Sequence, residues 1–143
     1  MISPTAPTVS KLQTLFRLLL GVILIIAGLA HLTWAREEFL AQVPAWLPLD
    51  GDLVVLLSGL VELLLGAALI GLPRYRIALG WTVAAFFVAI FPGNIAQYQT
   101  GSDAFGLNSD AARAIRLLFQ PLLVAWALWA TGAWQAWRDR QRG

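Results

Sequence analysis

LVVLLSGLVELLLGAALIGL, residues 53–72, decides the fold. It is apolar for roughly 20 residues, the length a helix needs to cross a hydrocarbon core. One acid, Glu62, sits at its centre. A carboxylate at membrane depth is costly, so an intramembrane ionisable residue is by default a site hypothesis. The rest of the chain reads as three more spans that bring polar groups toward Glu62.

Composition points the same way. The 143 residues are 59% hydrophobic and 13% charged, against roughly 25% charged in soluble domains. Mean hydropathy is +0.71. Such a chain has too little charge to cover a water-facing surface, which makes membrane the default class. Net charge is only +2, and the basic residues sit at segment ends rather than in a patch, so nucleic acid is not an expected partner. The chain has no cysteine, which excludes disulfides, thiolate metal sites and a cysteine nucleophile. With one His and an initiator Met, one copy cannot supply a bis-His or His/Met haem site.

Residues 1–10, rich in proline and hydroxyl side chains, read as a disordered tail, followed by a single four-span domain over residues 11–137 and a basic tail at 138–143. The first span covers about residues 12–34. Residues 36–49 hold Pro44 and Pro48, which stop a long helix, beside an apolar stripe of Phe39, Leu40, Val43, Trp46 and Leu47. This piece reads as an amphipathic segment lying in the interface. The second span is 53–72, and the short turn at 73–76 makes the third, about 77–98, its antiparallel neighbour. Pro92 and Gly93 are expected to kink or unwind the third span. Asp110 is the expected N-cap of the fourth, about 111–134, which contains Pro121. The fold class is therefore all-α, an integral membrane four-helix bundle.

With four crossings, Lys11, Arg17, Arg74, Arg76, Arg138, Arg140 and Arg142 fall on one side, and Arg36, Arg113 and Arg116 on the other. The positive-inside rule then places both termini in the cytoplasm, in a cytoplasmic (inner) cell membrane. Rise along each helix places His31, Ser58, Glu62, Asn94, Arg116 and Gln120 in the outer half, with almost nothing strongly polar in the inner half. Faces agree: Gly28 lies with His31, Gly59 and Gly66 with Glu62, and Arg113 with Arg116 and Gln120. The expected object is a bundle that opens outward into a polar pocket. Segment 36–49 would be a lid, and Trp34, Trp46 and Arg113 would form its rim.

Each of these residues also has a plain structural role open to it. Glu62 and Arg116 could be a buried ion pair that fixes register. His31 could be a solvated helix end. Asn94 could cap backbone freed by Pro92, and Gln120 could satisfy the carbonyl freed by Pro121. The tryptophans suit interfacial anchors. Co-location of the whole set favours function. A Glu, a His and an Arg in one pocket can move a proton, or hold a quinone-like or lipid head by charge-assisted hydrogen bonds, or hold one another. A metal site is disfavoured, because one His, one Glu and an amide make a poor ligand set and a nearby Arg opposes a cation.

AGLAHL (27–32), VPAWLP (43–48), SGLVELLLGAALI (58–70), the basic turn at 74–76, FPGNIA (91–96) and RLLFQPLLVAWAL (116–128) together resemble the DoxX-like membrane proteins. The resemblance covers about residues 15–130 and rests on the order and spacing of motifs rather than on any single one. It carries that family's recurrent polar set onto His31, Glu62, Asn94, Arg116 and Gln120. It implies a bacterial-type membrane protein linked to oxidoreductase assemblies, such as the small subunit of a thiosulfate:quinone oxidoreductase or an accessory of a thiol- and superoxide-defence complex. Animal relatives are assembly chaperones for ion-channel receptors. Three functions follow as expectations: an accessory subunit of a redox- or quinone-linked complex, non-catalytic alone; an assembly factor with a structural polar cluster; and a small-solute or proton transporter. The expected partners are membrane lipids, a membrane or peripheral oxidoreductase and a second copy of the chain. No cofactor lies within the chain itself, and a quinone or lipid is the expected bound molecule.

Overall fold

The computed structural model describes residues 6–143. Helix α1 spans Lys11–Leu32, α2 Arg36–Leu40, α3 Gly51–Gly71, α4 Arg76–Thr100, α5 Asp110–Ala130 and α6 Ala133–Arg142, with a 3-10 turn at Pro73–Tyr75. Among the described residues there is no strand. Four of the helices, α1, α3, α4 and α5, are long and apolar enough to cross a membrane. Their outward faces carry large apolar side chains such as Leu64, Val88, Leu118 and Leu122, each more than 60% exposed. A surface of that kind is stable only against another apolar phase.

Local chemistry sets the helix ends. Ser10 and Gln13 form a reciprocal capping box at the start of α1. The Asp50 side chain accepts from the Leu53 N–H at the start of α3. Ser109, not the expected Asp110, caps α5 by accepting from the Ala112 N–H; Asp110 is already helical and pairs with Arg113. Gly101, at φ +65°, closes α4 in the left-handed geometry that glycine adopts freely. The fourth long helix stops at Ala130 rather than near 134, because Gly132 at φ +73° breaks it. The expected C-terminal tail continues as the helix α6, with an exposed basic end. Neither Pro92 nor Pro121 unwinds its helix: α4 and α5 run unbroken through them. Of segment 36–49 only the first turn or so is helical, as α2.

The long helices run alternately up and down. The start of α1, the end of α5, helix α6 and the 73–75 turn lie at one end, the terminal end, and the two longer connections at the other, the loop end. α1 packs most closely on α3, and α4 on α5; α3 and α4, joined by the short turn, touch far less. The α1–α3 seam is a glycine crossing. A Cβ on Gly28 would meet the Gly59 carbonyl oxygen at 2.7 Å, and one on Gly66 would meet that of Gly21 at 2.6 Å. Small residues here let two backbones touch, the close approach seen where membrane helices associate. The apolar core sits in the terminal half and joins Leu20 and Leu24 with Leu65 and Leu69, Val83, Ala84 and Phe87, and Ala127.

The terminal half also carries polar groups that depth alone did not reveal. Arg17, expected as a flanking cytoplasmic charge, is buried and donates to the Leu69 carbonyl. Arg76 donates to the carbonyls of Thr131 and Pro7. Of the expected disordered segment 1–10, residues 1–5 lie outside the described residues, whereas Pro7 is held by Arg76 and Ser10 caps α1.

Candidate functional site

Between the two helix pairs, toward the loop end, lies a cavity of about 520 Å³. Its walls are mostly apolar, from Ile23 and Leu24 through Phe86 and Phe87 to Leu123. Six polar side chains expected from sequence line it: His31, Ser58, Glu62, Asn94, Arg116 and Gln120. The size falls within the roughly 300–1,000 Å³ usual for small-molecule sites, and so does the pattern of a few polar groups on apolar walls.

The glycine crossing positions the central pair. Because Gly59 has no side chain, the His31 Cβ can lie only 2.7 Å from where a Gly59 Cβ would be. His31 on α1 then lies beside Glu62, one turn further along α3, with Nδ1 2.9 Å from Oε2. The contact is close but poorly aligned. Nδ1 is also 2.9 Å from the Ala27 carbonyl, one turn back on its own helix, and the N–H runs there. Glu62 Oε2 is left buried with no hydrogen-bond partner among the described residues. The expected Glu62–Arg116 ion pair does not form.

Arg116 is held elsewhere. It donates to Gln97 Oε1 at 3.2 Å and, with the Gln42 amide oxygen turned toward it, to Gln42 at 2.7 Å. Its guanidinium also lies over the Phe105 ring, 4.9 Å from the centroid. Asn94 and Gln120 find each other across the α4–α5 seam: Asn94 Nδ2 donates to Gln120 Oε1 at 2.9 Å, and Gln120 Nε2 donates to the Phe87 carbonyl at 2.6 Å. Neither serves the proline-freed carbonyl expected for it. Both expectations were local, and a partner on the facing helix wins.

At the loop end the cavity is covered. The segment after α2 lines it through Gln42, Val43, Pro44, Trp46 and Leu47, the position of the expected lid. Phe39 stacks on His31 with centroids 3.3 Å apart and meets Phe105 edge-on at 4.7 Å. Glu38 accepts from the Phe105 N–H at 2.6 Å, which holds the two connections together. Phe105 takes φ +54°, an uncommon conformation for a bulky residue. Trp46 lines the cavity and is 69% exposed; Trp34, equally exposed, does not line it. Arg113 is not a rim residue either. It is buried and donates to Asp103, Asp110 and the Leu107 carbonyl, which fixes the 101–109 connection to α5.

Phe39, Gln42, Gln97 and Phe105 escaped the sequence reading as site residues. Gln97 is 1% exposed, and three residues after Asn94 it lies on the same face of α4. That spacing was the available signal. Phe105 sits in a connection whose path no periodicity fixes.

A family model described as a domain of unknown function (DUF8561) matches residues 20–131. The chain belongs to the DUF8561 family. No curated protein and no solved structure matches it. The DUF8561 match takes in every residue that lines the cavity, from Ile23 to Leu123, and leaves α6 outside.

Proposed function

We propose that this DUF8561 protein is a multi-pass protein of a bacterial cytoplasmic membrane, with both termini cytoplasmic, that binds a hydrophobic molecule with a polar head in the cavity between its helix pairs. A quinone-like compound or a lipid fits the lining. The observation that carries the reading is Glu62, which lines an apolar cavity and keeps one carboxylate oxygen buried without a partner. A charge-bearing group in that state is costly unless something satisfies it. His31 lies beside it, while Asn94 and Gln120 shape the far wall. In the role that the DoxX-like resemblance implies, the chain acts as an accessory subunit that holds this molecule for an oxidoreductase partner. The partner supplies the redox centre.

The test is mass spectrometry of the small molecules released from gently purified wild type and Glu62→Gln. A quinone or one specific lipid, retained by wild type and lost from the variant, is the expected result. The same non-specific lipid in both would refute ligand binding. It would favour the second reading, an assembly factor, for which the mutual pairing of Arg116, Gln97 and Gln42 speaks. On that reading a protein partner co-purifies.

A further inference from the structure

The polar atoms around the cavity specify more than a polar head. A carbonyl oxygen only accepts hydrogen bonds, so the His31 Nδ1 that faces the Ala27 carbonyl carries a proton. That proton is used on the helix backbone. Glu62 Oε2 lies beside the same N–H, off its axis, and only 6% of the Glu62 side chain is exposed. It is an acceptor with no donor. Among the other donors lining the cavity, Arg116 is turned to Gln97, Asn94 to Gln120 and Gln120 to the Phe87 carbonyl, and neither the Ser58 hydroxyl nor the Trp46 indole N–H reaches Glu62 Oε2. Buried polar atoms are nearly always paired in folded proteins. With no protein donor on Glu62 Oε2, the donor is left for an occupant of the cavity to supply.

We infer that Glu62 selects a ligand whose head donates a hydrogen bond, a phenolic or aliphatic hydroxyl, over the matching head that can only accept. This rests on the cavity being a ligand site, and it narrows the class: a quinol-type phenol or a hydroxyl-headed lipid rather than a quinone carbonyl or an ester. Replacing an O–H by O–CH₃ adds one methyl group, which a cavity of about 520 Å³ has room for, but removes the donor and leaves the Glu62 oxygen unserved. The loss is large when a buried acceptor has no other donor to turn to.

Two matched pairs of probes test this: 4-octylphenol with 4-octylanisole, and 1-O-octylglycerol with its dimethyl ether. Each is titrated at matched micellar mole fraction into the detergent-solubilised full chain, and occupancy is read by native mass spectrometry. One hydroxyl member is expected to bind about 10- to 100-fold more tightly than its ether. Whichever pair shows it distinguishes a phenolic from an aliphatic head. In Glu62→Gln, where an amide brings its own N–H, the preference is expected to vanish or reverse. The wild-type comparison stands without the variant should that fail to fold. Equal binding of both members in both pairs would overturn the inference and leave the cavity as a ligand site. Binding of no probe at all would instead remove the ligand site itself.

Discussion

At the terminal end of the bundle, buried and half-buried polar side chains are tied to main-chain carbonyls. Arg17 reaches Leu69, Arg76 reaches Thr131, the Thr131 hydroxyl reaches Ala127 and the Trp126 indole N–H reaches Phe16. At the loop end, His31, Gln120 and Arg113 also hold main-chain carbonyls, but polar side chains meet one another around a cavity as well: His31 and Glu62, Asn94 and Gln120, Arg116 with Gln97 and Gln42. A side chain bonded to backbone has its partner fixed by the fold and serves as a brace. Side chains that meet across a cavity can exchange partners with whatever enters it. On the proposed function, the terminal end is the rigid part of the molecule and the loop end the part that meets a ligand.

The terminal brace depends on the glycine seam, and breaking it should give the largest effect. Gly66→Val would push a Cβ into the Gly21 carbonyl oxygen at 2.6 Å, with the Ile25 nitrogen only 3.0 Å away. Backbone atoms cannot step aside, so the expected loss is about 3 kcal/mol or more by thermal or denaturant unfolding in detergent. Gly71→Ala is the control, since nothing lies within 4 Å of its Cβ position. It should stay within about 0.5 kcal/mol of wild type.

At the loop end, Gln120→Leu strips Asn94 of its acceptor and the Phe87 carbonyl of a donor, both in buried surroundings. A stability loss of about 1–3 kcal/mol is expected in the same unfolding measurement. Of the two loop-end substitutions, Glu62→Gln should have the smaller effect on stability. It removes a buried carboxylate whose Oε2 has no partner, so ligand-free protein should change by less than about 1 kcal/mol. A loss as large as that of Gln120→Leu would place Glu62 among the braces and erase the contrast between the two ends.

Much of this was legible in the sequence, for identifiable reasons. Twenty apolar residues between turn signals leave few alternatives to a span-length helix, so the four long helices emerge near their observed bounds. Glu62 and His31 stand out because a charge or imidazole in an apolar run is rare, and their shared faces with Gly59 and Gly28 follow from helical spacing. Which polar group meets which was not legible. Arg116 seemed the natural partner of Glu62, but a histidine across a glycine crossing lies closer, and Gln97 with Phe105 claims the guanidinium. Pairing depends on helix rotation and on the path of connections, which local pattern does not encode. Arg17 shows the same limit: as a flanking cation it looked solvated, yet it turns inward to a carbonyl.

The measurement that tests the account most directly is an experimental structure of the full chain in particles of native membrane. The account predicts elongated non-protein density in the cavity between the α1–α3 and α4–α5 pairs, with its head within hydrogen-bond distance of Glu62 Oε2. A cavity that is collapsed or empty, with Glu62 turned to Arg116 in a closed ion pair, would contradict it.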